Sequence, residues 1–316
     1  MDDEFEKIAW LKARFELGDP PDGSVLGIGD DAAVFDFGAQ PTVVTVDTHV
    51  EGIHFRRDWL SPSELGARAM IAAVSDVYAM AAQAVGSVVA LTLPPKYPEA
   101  DFRSLIDGLA DAARATGAAV IGGNLSGGPV LSITTTAFGH SAERALTRRG
   151  ARVGDRIYAT GALGASALGF RLLEAGRLDL EHAKSFIDRW RRPPIRAEVA
   201  GRLSDFATAA IDVSDACLQD LGHICRASEV GATLDAQALP TLLGFAETCA
   251  AIGADPLELA LTGGEDYEIL FTAADVTKAD AVATQIGVIT ADPILRVLDA
   301  NGRSIPLRSD GFRHFS

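Results

Sequence analysis

Residues 27–37 read GIGDDAAVFDF. The first six, Gly27-Ile28-Gly29-Asp30-Asp31-Ala32, satisfy the loose dinucleotide pattern GxGxxA, and the fold turns on whether that match is genuine. A pyrophosphate on this loop would face the carboxylates of Asp30 and Asp31, like charge against like. The following AVFDF has the composition of a strand where a dinucleotide fold needs a helix. The dinucleotide fold is therefore rejected. Adjacent acids in a glycine turn fit two other readings: oxygen ligands for Mg²⁺ with phosphates on the ion's far side, or a solvated Asp turn.

Outward from this loop, β-rich runs alternate with helical segments: PTVVTVD, VGSVVALTL, AAVIGG, VLSITTTAFGH, RIYATG, TAAIDVS, YEILFTA and ILRVLD, each ending near Gly, Pro, Asp or Ser. This alternation predicts an α/β (α+β) chain of layered sheets and helices. The clearest helix begins at Ser61, with Pro62 at N1 and Glu64 at N3 completing a capping box, and runs to about Ala82. Further helices are expected over 101–115, 165–175, 215–228 and 242–252. The polar, basic stretch HSAERALTRRGARVG marks a boundary, dividing the chain into domains at 1–145 and 146–316.

The 316 residues carry 28 Lys+Arg against 43 Asp+Glu, a net charge of −15, which argues against nucleic acid or an anionic membrane as partner. Three cysteines, Cys217, Cys225 and Cys249, make no CxxC pair and no even disulfide set, and MDDEFEKIAW has neither a basic nor an apolar leader region. A cytoplasmic protein is expected. The apolar stretch 69–93 is broken by Asp76 and reads as a buried helix followed by a core strand, so no membrane span is expected.

None of the five lysines follows a glycine, and no GxSxG or HExxH string occurs, which removes phosphate-loop, α/β-hydrolase and zincin chemistry. What remains is a set of acids at element junctions: Asp30, Asp31, Asp47, Asp76, Asp212 and Asp215. A lone Asp at a helix start is more often a cap than a ligand. Asp76, inside a helix of Ala, Val, Ile and Met, is different, because an ionised buried carboxylate costs several kcal/mol without a partner, and a metal would supply that partner. Mg²⁺ takes a few carboxylates plus substrate phosphate oxygens, so such a cluster suits a nucleotide triphosphate.

Other strings leave two readings each. Arg148 is either a contact to transferring phosphate or surface charge. Gly122-Gly123-Asn124 and the turn Gly161–Gly164 are either phosphate cradles or tight turns. Glu265, exposed by Gly263-Gly264, either faces a cationic ligand or ends a hairpin, and Phe312 either stacks on a flat ring or docks the tail. The His49–His54 spacing fits no standard zinc pattern, and His54 suits a substrate-side donor.

Taken together, GIGDDAAV, TVDTHVEGIHF, VSDVYAMAA, IGGNLSGGP, TRRGARVGD, IDVSDACLQDL, GGEDYEILFT and DGFRHF resemble the thiamine-monophosphate kinase family, part of a superfamily with aminoimidazole ribonucleotide synthetase. The strings occur in the family's order over nearly the whole chain. The resemblance implies a two-domain fold with the active site in the cleft between the domains, a homodimer paired through its N-terminal domain, and ATP- and Mg²⁺-dependent phosphorylation of thiamine monophosphate. Carried across residue by residue, it implies metal ligation by Asp30, Thr45, Val46, Asp47, Asp76, Asp212 and Asp215. It implies ATP contacts at Gly123, Asn124, Arg148 and Ser214, and thiamine contacts at His54, Glu265 and Phe312.

The chain departs from the family pattern at Asn124, where an Asp usually follows the glycine pair, and at Val46, where Ser or Thr is common and a backbone carbonyl would have to coordinate. Ala216-Cys217 replaces the usual Gly-Leu. The same fold acting on another small acceptor, or serving as a nucleotide-binding protein without turnover, are the competing readings.

Overall fold

The computed structural model describes residues 24–26, 30–36, 40–142 and 144–306. Six strands form a first sheet: β1 (Ser24–Leu26), β2 (Ala33–Asp36), β3 (Pro41–Val50), β4 (Gln83–Leu93), β5 (Val120–Gly127) and β6 (Ser132–His140), in the order β1-β2-β3-β6-β4-β5. Helix α1 (Pro62–Ala79) connects β3 to β4, and α2 (Glu99–Thr116) makes the crossover that lets β5 run parallel to β4. The other pairings in this sheet are antiparallel.

A second sheet draws on β7 (Arg156–Ala159), β8 (Ala207–Asp212), β9 (Gly231–Asp235), β10 (Ile269–Ala273), β11 (Thr284–Thr290) and β12 (Leu295–Leu298), ordered β12-β9-β11-β7-β10-β8. Its connections carry α3 (Ala165–Glu174), α4 (Ala183–Arg191), α5 (Ala197–Leu203), α6 (Cys217–Ser228), α7 (Phe245–Ala251), α8 (Pro256–Thr262) and α9 (Val276–Asp280). Side chains alternate across a strand, so β10 sends Ile269 and Phe271 to one core and Leu270 to another. A strand covered on both faces reads as an unbroken apolar run, which is why ILFTA is buried throughout.

Helix α1 lies where the two sheets meet. Its capping box forms as expected, with the Glu64 amide donating to Ser61 Oγ at 3.2 Å and the Ser61 amide to Glu64 Oε2 at 2.8 Å. From Leu65 to Ala79 every residue but Asp76 is buried, the mark of a helix enclosed on all sides. It packs on β3 and β6 of the first sheet, on β8 and β10 of the second, and along α2. The first sheet's opposite face stays open, with Val46 and Ala90 exposed, and β5 is exposed along its whole length.

Three strands lie outside the runs expected from sequence, the short SVL (β1), GATLD (β9) and TQIGVIT (β11). The glycines of the last two read as breaks but mark close backbone passages instead. A Cβ on Gly231 would strike the Asp292 carbonyl, and one on Gly287 the Thr233 carbonyl. Close approach also sets the α1–α2 contact, where a Cβ on Gly66 would land on the Leu105 carbonyl and one on Gly108 on that of Ser63. Gly108→Ala is expected to lower unfolding stability by about 2–3 kcal/mol in a denaturant titration, because the obstructing atom is backbone. Gly127→Ala, which meets open space, should stay within about 0.5 kcal/mol.

Candidate active site

Three of the junction acids converge. Asp31 comes from the turn before β2, Asp76 from α1 and Asp212 from the end of β8, and each presents a carboxylate oxygen such that all three lie within 4.8 Å of one another. Three side chains around them supply donors. Thr45 Oγ1 on β3 donates to Asp76 Oδ2 at 2.6 Å, Ser75 Oγ donates to Asp212 Oδ2 at 2.8 Å, and Arg148 Nε donates to Asp31 Oδ1 at 3.0 Å. Asp30 sits beside the cluster, its carboxylate accepting the Arg148 amide at 3.1 Å. Sequence reading placed Asp31 among the junction acids but left it out of the ligand set implied by resemblance; its side chain is 1% exposed and central here.

Burial and mutual repulsion push these carboxyls up. Loss of hydration and then Asp31 raise Asp30 to about 6; the same two causes raise Asp212 to about 7. Burial, then Asp212 and Asp31, hold Asp76 well above the ordinary range. Burial likewise raises Asp31, against the pull of Arg148. A fourth buried acid, Asp220 on α6, accepts the Ala216 amide at 3.1 Å and is raised by burial and by Asp212 and Asp215; it fixes the Ser214–Ala216 loop.

The cluster opens into a cleft of about 450 Å³ that both sheets' connections line. Asp47, Asp76, Asp212, Ser214 and Asp215 supply its polar wall, with Val46, His54 and Glu265 also facing it, so eight expected residues share one cavity. Asp47 accepts the Thr48 amide at 2.7 Å, and Gln219 donates to Asp215 at 3.1 Å. His54 Nδ1 accepts the Val50 amide at 3.1 Å, which leaves the ring hydrogen on Nε2. His49, which sequence reading did not assign, is buried in the same wall with Nδ1 3.5 Å from Asp47 Oδ2.

Glu265 is not a free carboxylate. Oε1 pairs with the fully buried Arg68 of α1, and Trp190 Nε1 on α4 donates to Oε2 at 3.0 Å. Loss of hydration alone would raise its carboxyl; Arg68 and the Trp190 hydrogen bond outweigh that and hold it below the ordinary value. Nearby, the Gly161–Gly164 turn cradles no phosphate, because Asp266 already accepts the Gly164 and Ser166 amides at 2.6 and 2.9 Å. Buried Glu268 gathers Arg189, Arg196 and Thr160 beneath it. Neither anchor carries a signal in one sequence, since both partners come from distant segments.

Gly123 and Asn124 lie apart from this cleft. They pair with Val89 and Ala90 from the exposed edge strand β5, and the row Asp47-Thr135-Val89-Gly123 puts three strand spacings, about 14 Å, between Gly123 and Asp47. Phe312 lies outside the described residues.

The acid cluster fits a hard divalent cation. Asp31 Oδ2 is buried without a hydrogen-bond partner, and an all-oxygen donor set of carboxylates beside a hydroxyl matches Mg²⁺ preferences. Without metal, the raised carboxyls hold protons in the folded state that the unfolded chain has released, so the unfolded state binds fewer protons and stability falls as pH rises. Buried His49 and His223, both lowered by burial, act in the opposite sense. Six raised carboxyls (Asp30, Asp31, Asp76, Asp212, Asp220, Asp266) outnumber them. In chelator, thermal unfolding is therefore expected at a higher temperature near about pH 5.5 than near about pH 7.5. Asp76→Asn should flatten that slope, and an unchanged slope would remove Asp76 from the cluster.

A family model described as AIR synthase related protein, N-terminal domain, matches residues 29–141. The thiamine-monophosphate kinase of Escherichia coli strain K12 is 38% identical over 305 residues, covering 92% of each chain. Among solved structures, AaThiL complexed with AMPPCP and TMP superposes with a TM-score of 0.89 at 29% identity, covering 99% of this chain and 97% of that one. Thiamine-monophosphate kinase from Stenotrophomonas maltophilia K279a gives 0.77 at 35% identity, covering 96% and 98%. With identity of this order running through both sheets and the acid-lined cleft between them, the chain belongs to the thiamine-monophosphate kinase family.

Proposed function

We propose that this chain transfers the γ-phosphoryl group of ATP directly to the phosphate of thiamine monophosphate, giving thiamine diphosphate and ADP. The observation that carries this reading is the convergence of Asp31, Asp76 and Asp212 within 4.8 Å at the cleft that Asp47 and Asp215 also line. So dense an acid cluster is costly unless divalent cations occupy it, and a cation-filled acid cleft selects phosphate-bearing ligands. AaThiL holding AMPPCP and TMP together fits two such ligands meeting in one site.

Asp31, Asp76 and Asp212, with Asp30, Thr45, Asp47 and Asp215 around them, would hold Mg²⁺; the open Val46 position offers its carbonyl. When bound, the ions neutralise charge on donor and acceptor phosphates. An acceptor phosphate oxygen attacks the γ-phosphorus in line, the bond to the bridging β-oxygen breaks, and ADP leaves with that electron pair. The acceptor is already an anion, so no general base is needed; positioning supplies the rate. Ser214 and Arg148 contact ATP, Arg148 from a guanidinium that Asp31 keeps aimed at the cluster. His54 Nε2–H and Glu265 face the thiamine compound; Phe312, outside the described residues, is assigned to it by the family resemblance alone.

The 1–145 domain carries Asp30, Asp31, Thr45, Asp47 and Asp76 and the dimer contact, and 146–316 adds Asp212 and Asp215 and completes the cleft. The edge strand β5 supports a homodimer: Val120, Ile121 and Leu125 are exposed on it, and an unpaired edge of that length is normally covered. Pairing there also gives Gly123 and Asn124 a place at the nucleotide. The acidic chain and its reduced, buried cysteines suit the cytoplasm; no helix of the described residues is long and apolar enough to cross a membrane.

Purified protein with ATP, Mg²⁺ and thiamine monophosphate should form thiamine diphosphate matched by ADP on a chromatogram, and chelator should stop it. No product from thiamine monophosphate while another acceptor consumes ATP would reassign the substrate. Asp47→Asn and Asp215→Asn should each lower kcat at least about 100-fold, with the metal-free melting temperature unchanged or higher because like-charge repulsion is relieved. Near wild-type turnover in either variant would refute its metal role.

A further inference from the structure

Thiamine carries a positively charged heteroaromatic ring, and a carboxylate is the obvious group to receive it. Glu265 is poorly placed to do so alone, since buried Arg68 already balances its charge and Trp190 holds its second oxygen. The cleft offers another group for a flat cation. Phe170 on α3 lines it and is 37% exposed, the one exposed Phe, Tyr or Trp among the described residues. An aromatic ring left open to water inside a cleft marks a contact surface.

Its ring is also fixed. Trp59 meets Phe170 edge-on at 5.4 Å between centroids, and Trp190 lies at 5.9 Å, tilted by 56°. Trp59 and Trp190 touch each other at 6.3 Å, so three rings brace one another from a loop of the first half and two helices of the second. Arg68 and Arg56 sit over the tryptophans, 4.9 and 4.5 Å from Trp190 and Trp59, whereas among the described residues no arginine or lysine sits over Phe170, the ring of the three that lines the cleft. The same contacts place it beside Trp190, whose Nε1 reaches Glu265.

Resting on the kinase reading above, we propose that Phe170 is a specificity-determining residue for the acceptor: its ring packs on the cationic heteroaromatic ring, selecting a charged flat acceptor over neutral phosphate esters. The attraction is that of a cation for the negative face of a ring, strengthened by desolvation in the cleft.

Steady-state kinetics at saturating ATP test this with three variants. Phe170→Leu keeps an apolar side chain and loses the ring, and should raise KM for thiamine monophosphate about 5- to 10-fold. Phe170→Ala should raise it further, and Phe170→Tyr should restore it to within about 2-fold. KM for ATP and kcat should hold within about 2-fold throughout. Inhibition by the monophosphate of 5-(2-hydroxyethyl)-4-methylthiazole, a neutral ring, should be the same in wild type and Phe170→Leu. Quenching of Trp59 and Trp190 fluorescence by thiamine monophosphate without ATP gives a second readout, its midpoint shifting with the KM. If KM for ATP rises instead, the ring serves adenine and the proposal fails. It fails too if neither constant moves while wild type turns over. Wild type that makes no thiamine diphosphate sinks the kinase reading, while the fluorescence midpoints still decide the role of Phe170.

Discussion

Three carboxylate oxygens within 4.8 Å, shielded from water, repel one another by roughly 3–4 kcal/mol per ionised pair at an effective dielectric of about 20. A chain can hold such a cluster only if the elements carrying the acids cannot move apart. Each acid here belongs to a different part of the architecture: Asp31 to the turn before β2, Asp76 to α1, Asp212 to β8. The repulsion is therefore borne by packing between both sheets and the helix between them, and neutralising it by cations or protons relieves all three at once. Catalytic competence and the strain on the fold are two sides of one arrangement.

Helix α1 explains how that packing is sufficient. Enclosed on nearly every face, it has no solvent stripe along which to slide or tilt, and its alanines and glycine let α2 and both sheets approach closely. Adjacent residues then tie it to both halves of the site. Asp76 takes the hydroxyl of Thr45 on β3, while Ser75 gives its own to Asp212 on β8. A rotation of α1 that improved one bond would break the other. Nearly two turns from the helix start, Arg68 makes a third tie, to Glu265 before β10, so the helix registers the metal-ligand set against the acceptor wall.

Much of this was legible in the sequence because it is local. The Ser61 capping box, the largely apolar run of α1 and the period-2 runs of β3 and β6 require only neighbouring residues to be read. Asp76 stood out because a charge amid alanines has no innocent explanation. Less local features were hidden. Glycines in β9 and β11 look like loop residues until a crossing backbone is seen to need the space. Asp266 and Glu268, within four residues of Glu265, look alike in sequence, yet one caps α3 and another binds two arginines. Nothing in the string GGEDYE distinguishes these tasks.

The GGED segment shows why the acidity of the cleft is not uniform. Glu265 and Tyr267 both adopt positive φ, 64° and 50°, which turns successive side chains in directions an ordinary extended strand would not allow. Glu265 is thereby aimed at Arg68 and Trp190, and Asp266 at the start of α3. Both acids are already paired within the protein before a ligand arrives, although Glu265 still lines the cleft. The carboxylates of Asp31, Asp76 and Asp212 have donors for some oxygens but leave a common space between them, and Asp31 Oδ2 has no hydrogen-bond partner among the described residues. Charge that is matched inside the protein orients the wall; charge left unmatched attracts cations. The same residue type therefore does both jobs in one cleft: Glu265 and Asp266 have both oxygens engaged by protein donors, whereas Arg148 engages Asp31 at Oδ1 and leaves Oδ2 open to the common space.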